Sequence, residues 1–108
     1  MKRYKKMMSL ENEYVQEKAL LDEGFQASWL HIAFLLMWLE EHFGVNPNVS
    51  VLSQEAVTDF FTWMERDLGY SARTRLSIAT ALGEFLTFAY EKEYLEHDLT
   101  VCIPTISA

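Results

Sequence analysis

Two arginines and three hydroxyl side chains crowd one predicted helix start: Ser71, Arg73, Thr74, Arg75 and Ser77. The first N–H groups of a helix lack intrahelical acceptors and lie at the positive end of its dipole, so such a start attracts anions. With guanidinium groups beside it, the chemistry on offer is phosphate binding, or reach toward the edge of a nucleic-acid groove. The same residues allow a plainer reading, in which Ser71 only caps the helix and Thr74 supports that cap.

Other chemistry is sparse. His31, His42 and His97 are scattered, and none has a second His or Cys at metal-ligand spacing. The single Cys102 has no partner for an internal disulfide and no cationic neighbour in sequence to activate its thiol. All four glycines are isolated turn residues rather than a phosphate-binding loop. The expectation is a chain with no catalytic residue, no metal and no cofactor.

With 16 acidic and 9 basic residues among 108, the formal net charge is −7. That excludes a nucleic-acid binder of the wholly basic kind, so any DNA binding must come from a local patch. Half the residues are apolar, enough for one core and one domain. The most apolar run, Trp29 to Leu39, falls well short of the roughly 20 residues a membrane span requires. No apolar leader opens the chain, and a cytoplasmic protein without membrane contact is expected.

Helical periodicity dominates and strand-like alternation is nearly absent, which predicts an all-α fold, a compact bundle of about four helices. The first helix is expected over residues 10–23, capped by Ser9, with Leu10, Tyr14, Ala19 and Leu21 on its apolar side and Gly24 turning the chain out. A second over residues 27–43 puts Leu30, Phe34, Met37 and Trp38 on a buried face widened by Leu35, Leu36 and Leu39. Ser53 caps a third carrying Val57, Phe60, Phe61, Met64 and Leu68. The fourth starts at Ser71 and buries Leu76, Ala79, Leu82, Leu86 and Ala89, joined by Ile78, Phe85 and Phe88. Its outer stripe begins basic and ends in Glu84 and Glu91, so only its first turns suit a phosphate backbone.

Gly69, Ser71 and Thr74, followed by Ala79, Ala81 and Leu82 and then by Phe85, Leu86 and Phe88, resemble the turn, aliphatic positions and aromatic cluster of one known domain. It is the amino-terminal, SAM-like core-binding domain of phage integrases and other tyrosine recombinases. The resemblance continues through Tyr94-Leu95, Asp98-Leu99-Thr100 and Ile103-Pro104, and covers nearly the whole chain. It implies a domain over residues 10–97, a basic arm over 1–9 and the start of an interdomain linker over 98–108.

What the resemblance implies for function is a non-catalytic clamp on double-stranded DNA. A catalytic domain of the same polypeptide would close on the other side of the duplex, and other recombinase subunits would join in a synaptic assembly for DNA integration. The implied contacts are Ser71, Arg73, Thr74, Arg75 and Ser77 on the fourth helix, Ser28 and His31 on the second, and Lys5 and Lys6 with Lys2 and Arg3 from the arm, which also reads as a solvated tail. Recombinase catalysis uses an arginine cluster around a tyrosine nucleophile, and none of the five tyrosines here has one. The family also places basic residues on the fourth helix where this chain has Ser77 and Gly83, which weakens the case for direct base contacts. Two other readings stay open: a free-standing acidic helical protein-interaction domain, which suits the net charge, and a helix-turn-helix reader, against which the helix lengths argue.

Overall fold

The computed structural model describes residues 5–19 and 25–106, with side chains described for 5–18 and 29–106. The fold is all-α: α1 (Met7–Ala19), α2 (Phe25–Phe43), α3 (Gln54–Arg66) and α4 (Ala72–Glu91), with short 3-10 helices at Val49–Val51 and Leu99–Cys102. Expectations for Leu21, Gly24, Lys2 and Arg3 lie outside the described residues, as do the side chains of Ala19 and Ser28. Among the described residues no helix is long and apolar enough to cross a membrane.

Helix α1 begins earlier than its sequence suggests, because its cap is tertiary. The Met7 amide donates to the Pro47 carbonyl (2.8 Å), and the Met8 amide to Asn46 Oδ1 (3.2 Å). The loop after α2 thus supplies the acceptors at the helix start, and Ser9, expected as the cap, lies exposed inside the helix. Lys6 pairs with Asn48 in an isolated bridge and Met7 is buried, so residues 5–9 belong to the packed domain rather than to an arm. Since the start of α1 lies beside the end of α2, the two run antiparallel.

Helix α2 packs on α1 and α4 and buries Ile32, Leu35 and Leu39, while its Phe34–Trp38 edge meets α3. Phe34 stacks on Trp63 (5.3 Å between centroids), and Phe60 fills the space between Phe34 (5.7 Å) and Trp38 (5.5 Å). The stripe left over faces solvent. Leu30 is 62% exposed and Met37 59%, both expected in the core; Ala33 lies between them. Tyr14 carries α1 onto α4, with its ring 5.2 Å from Phe85 and 5.0 Å from Phe88. Burial pushes its phenol up to about 12.

Ser53 caps α3 as expected, accepting from the Ala56 amide (3.1 Å). The helix ends in a Schellman-like turn: Gly69 adopts φ +63°, and the Tyr70 amide donates to the Met64 carbonyl (3.1 Å). Leu68 falls in that turn, past the last helical residue, and is exposed. Helix α4, 20 residues and so about 30 Å long, outreaches the 13-residue α1 and α3. Leu76, expected on the buried stripe, is 40% exposed, while Ile78 to Ala89 supply that stripe.

The segment expected as the start of a linker packs instead. Asp98 caps the 3-10 helix Leu99–Cys102 by accepting from the Thr100 amide (3.0 Å), Leu99 is buried, and Ile103 and Ile106 lie against the core. Gly83 of α4 faces this segment with room to spare: a Cβ there would meet only Ile103 Cδ1, at 3.8 Å. Gly83→Ala is expected to stabilise the domain by about 1 kcal/mol through helix propensity, read as a higher urea midpoint with unchanged slope.

Candidate nucleic-acid interface

The α3–α4 turn presents the predicted phosphate site. Ser71 caps α4 in extended conformation, and its Oγ accepts from the Thr74 amide (3.2 Å) while its hydroxyl donates to Thr74 Oγ1 (3.1 Å). Both hydroxyls serve the helix end, and the Thr74 O–H remains able to donate outward. Ser77 Oγ donates back to the Arg73 carbonyl (3.3 Å), one turn below.

The two arginines differ. Arg73 is exposed, and its guanidinium makes no hydrogen bond or ion pair among the described residues. Arg75, expected as a DNA contact, is drawn inward. Its Nε donates to the Tyr70 carbonyl (3.2 Å), its Nη1 lies 3.8 Å from Glu65 Oε2, and only 19% of its side chain is exposed. Arg75 thus fastens the turn to the end of α3 and positions Ser71 and Arg73 rather than reaching outward. Arg66, in the last turn of α3, is exposed at the same end, a residue the sequence reading passed over. Its position as the last basic residue before the turn was the available signal. Three arginines thus meet two acids, Glu65 and Asp67, in a chain whose overall balance is strongly acidic.

His31 is half-buried on α2, one turn before Phe34, whose ring lies 6.2 Å from that of Tyr70. It therefore belongs to the same end of the molecule as the arginines. Ser28 is on α2 as well, with its side chain outside the described set.

Lys5 and Lys6 are not part of this group. The Lys5 ammonium lies 2.8 Å from Glu13 Oε2 and 4.9 Å from the centre of the Tyr94 ring, and the hydrogen bond to Glu13 holds its pKa above the usual lysine value. Tyr94 follows the far end of α4, so Lys5 and Arg73 are separated by roughly the 30 Å of that helix. The Tyr94 hydroxyl also donates to Glu13 (2.6 Å), making this corner a structural clasp between α1 and the segment after α4.

No group of three His, Cys, Asp or Glu side chains is placed to hold a metal ion among the described residues. His42, exposed in the last turn of α2, lays its ring 4.2 Å from that of Trp38, with Nδ1 2.9 Å from the Trp38 carbonyl. Compared with protein-family models, with curated proteins and with solved structures, the chain has no match in any of the three.

Proposed function

We propose that this chain is a DNA-binding domain that holds duplex DNA at the start of α4, as the core-binding clamp of a site-specific tyrosine recombinase acting in the cytoplasm. In this reading the chemistry belongs to a catalytic domain of the same polypeptide, and other recombinase subunits complete the assembly that integrates DNA. The observation that carries it is Arg73: an exposed guanidinium without a partner among the described residues, in the first turn of a helix whose leading N–H groups have no acceptor within the helix. A DNA phosphate would accept from Arg73 and from the Thr74 hydroxyl, while Arg75 keeps the turn in place. Arg66 adds charge from the neighbouring helix end, and the acidic surfaces elsewhere would face away from the duplex.

Few phosphates are neutralised in such a contact, so binding by this chain alone should be weak and steeply salt-dependent. In a fluorescence-anisotropy titration of duplex DNA, Arg73→Ala is expected to weaken binding by roughly 1 kcal/mol, about fivefold. It should also reduce the slope of log affinity against log salt by about 0.9, as expected for one lost phosphate contact. Lys5→Ala should leave that slope unchanged. Equal slopes for Arg73→Ala and the parent chain would remove the helix start from the interface.

A second reading, a free-standing acidic helical domain that binds protein, is favoured by the apolar stripe of α2.

A further inference from the structure

Helix α2 is apolar around its whole circumference, yet only part of that circumference is covered. Leu30, Ala33 and Met37, spaced by three and four residues, form one line along its outer face, and Glu41 continues the same line at the C-terminal end. A helix of this composition is normally enclosed on all sides. On the adjoining α1, whose start is bonded to the loop after α2, Met8 is 46% exposed, and methionine, like Met37 on the stripe, is a side chain suited to adaptable docking.

Along α2 itself the charge has one sign. No Lys or Arg occurs anywhere on α2, while Glu40 and Glu41 stand at one end of the stripe. On α1, Glu11 is 7% exposed and its Oε2 has no hydrogen-bond partner among the described residues. Burial pushes the Glu11 carboxyl above the usual carboxylate range and nearby Glu40 adds to this, against a hydrogen bond from Trp29. An apolar stripe that ends in Glu40 and Glu41, with no cation on its own helix, asks for a ligand that is itself apolar and cationic.

We infer that the α1–α2 face is a docking surface for a basic amphipathic helix of another protein, with apolar side chains seated on Leu30 and Met37 and Lys or Arg opposite Glu40 and Glu41. Leu30 to Met37 spans about 10 Å, so two to three turns of partner helix suffice. A second copy of this chain would bring the same carboxylates and no cation on its own α2. DNA and anionic lipid surfaces carry the wrong sign. The surface is separate from the helix start proposed to bind DNA, and the inference does not depend on that reading.

The probe is a synthetic helical peptide of roughly 16 residues built from leucine and lysine in amphipathic order, with a leucine–glutamate peptide of the same pattern as control. Calorimetry on the intact chain should show micromolar binding of the lysine peptide only. Amide NMR shifts should concentrate on residues 29–41 and the facing edge of α1. The double variant Leu30→Ser, Met37→Ser should lose at least about tenfold in affinity with unchanged thermal unfolding, since both residues are solvent-exposed. Glu41→Gln should weaken binding most at low salt. The inference is overturned if the glutamate peptide binds equally, if the shifts map elsewhere, or if the serine variant binds like the parent. Sedimentation showing a dimer that the serine variant breaks would also overturn it, assigning the face to a second copy.

Discussion

Phe60→Ala is expected to destabilise the domain by about 3–5 kcal/mol, the largest effect of any single truncation considered. Phe60 has no exposed surface and touches four aromatic neighbours: Phe34 at 5.7 Å, Trp38 at 5.5 Å, Phe61 at 5.8 Å and Trp63 at 6.1 Å. Its removal leaves a void between α2 and α3 that rings held on two rigid helices cannot close, so the lost transfer energy is joined by a cavity term. Domains of this size have total stabilities of about 5–15 kcal/mol, so the loss is a large share of the whole. Urea unfolding followed by tryptophan fluorescence reports it directly, since Trp38 and Trp63 border the void. A loss below about 1 kcal/mol would mean that the α2–α3 seam is looser than the ring geometry implies.

The second large effect is a contrast within one helix. Leu39→Ala is expected to cost about 2–5 kcal/mol, and Met37→Ala, two residues away, less than about 0.5 kcal/mol. Leu39 is fully buried against the bundle and Met37 is 59% exposed. Both are large, flexible and apolar, and nothing in composition separates them. The difference is in which side of α2 is covered by α1, α3 and α4. Denaturant midpoints of the two variants measure it in one experiment. Comparable losses would place Met37 in a packed interface and remove the basis for a docking surface on that face.

Much of the architecture was legible in the chain itself. Ser53 and Ser71 announce the starts of α3 and α4 because a serine preceding a helical pattern can accept from an amide three residues on, and both do. Gly44 and Gly69 announce ends because both take positive φ, +97° and +63°, where other residues are strained. Such signals are local: donor, acceptor and backbone preference lie within a few residues of each other. The start of α1 was misplaced for the converse reason. Its amides are satisfied by Asn46 and Pro47, nearly forty residues away, and no nearby residue encodes that cap.

The candidate site divides along the same line. Residue types and spacing placed Ser71, Arg73, Thr74, Arg75 and Ser77 together at one helix start, because a helix fixes the positions of its own residues. They could not tell Arg73 from Arg75. The Tyr70 carbonyl and Glu65 that hold Arg75 inward come from the preceding turn and from α3, and only the way the chain doubles back at Gly69 brings them within reach. Lys5 and Lys6 joined the same list on charge alone, yet the fold stations them at the opposite end of α4, with Lys5 clasped by Glu13 and Tyr94.

The sequence by itself therefore determined the all-α class and the starts of α3 and α4, which gather Ser71, Arg73 and Thr74 at one helix end, since each depends on interactions within a turn or two. Tertiary structure alone decided which arginine is free, which lysine is committed and which side of α2 stays open. Those outcomes depend on what another segment places alongside, and a helix that is apolar all around holds no record of the side its neighbours will leave uncovered.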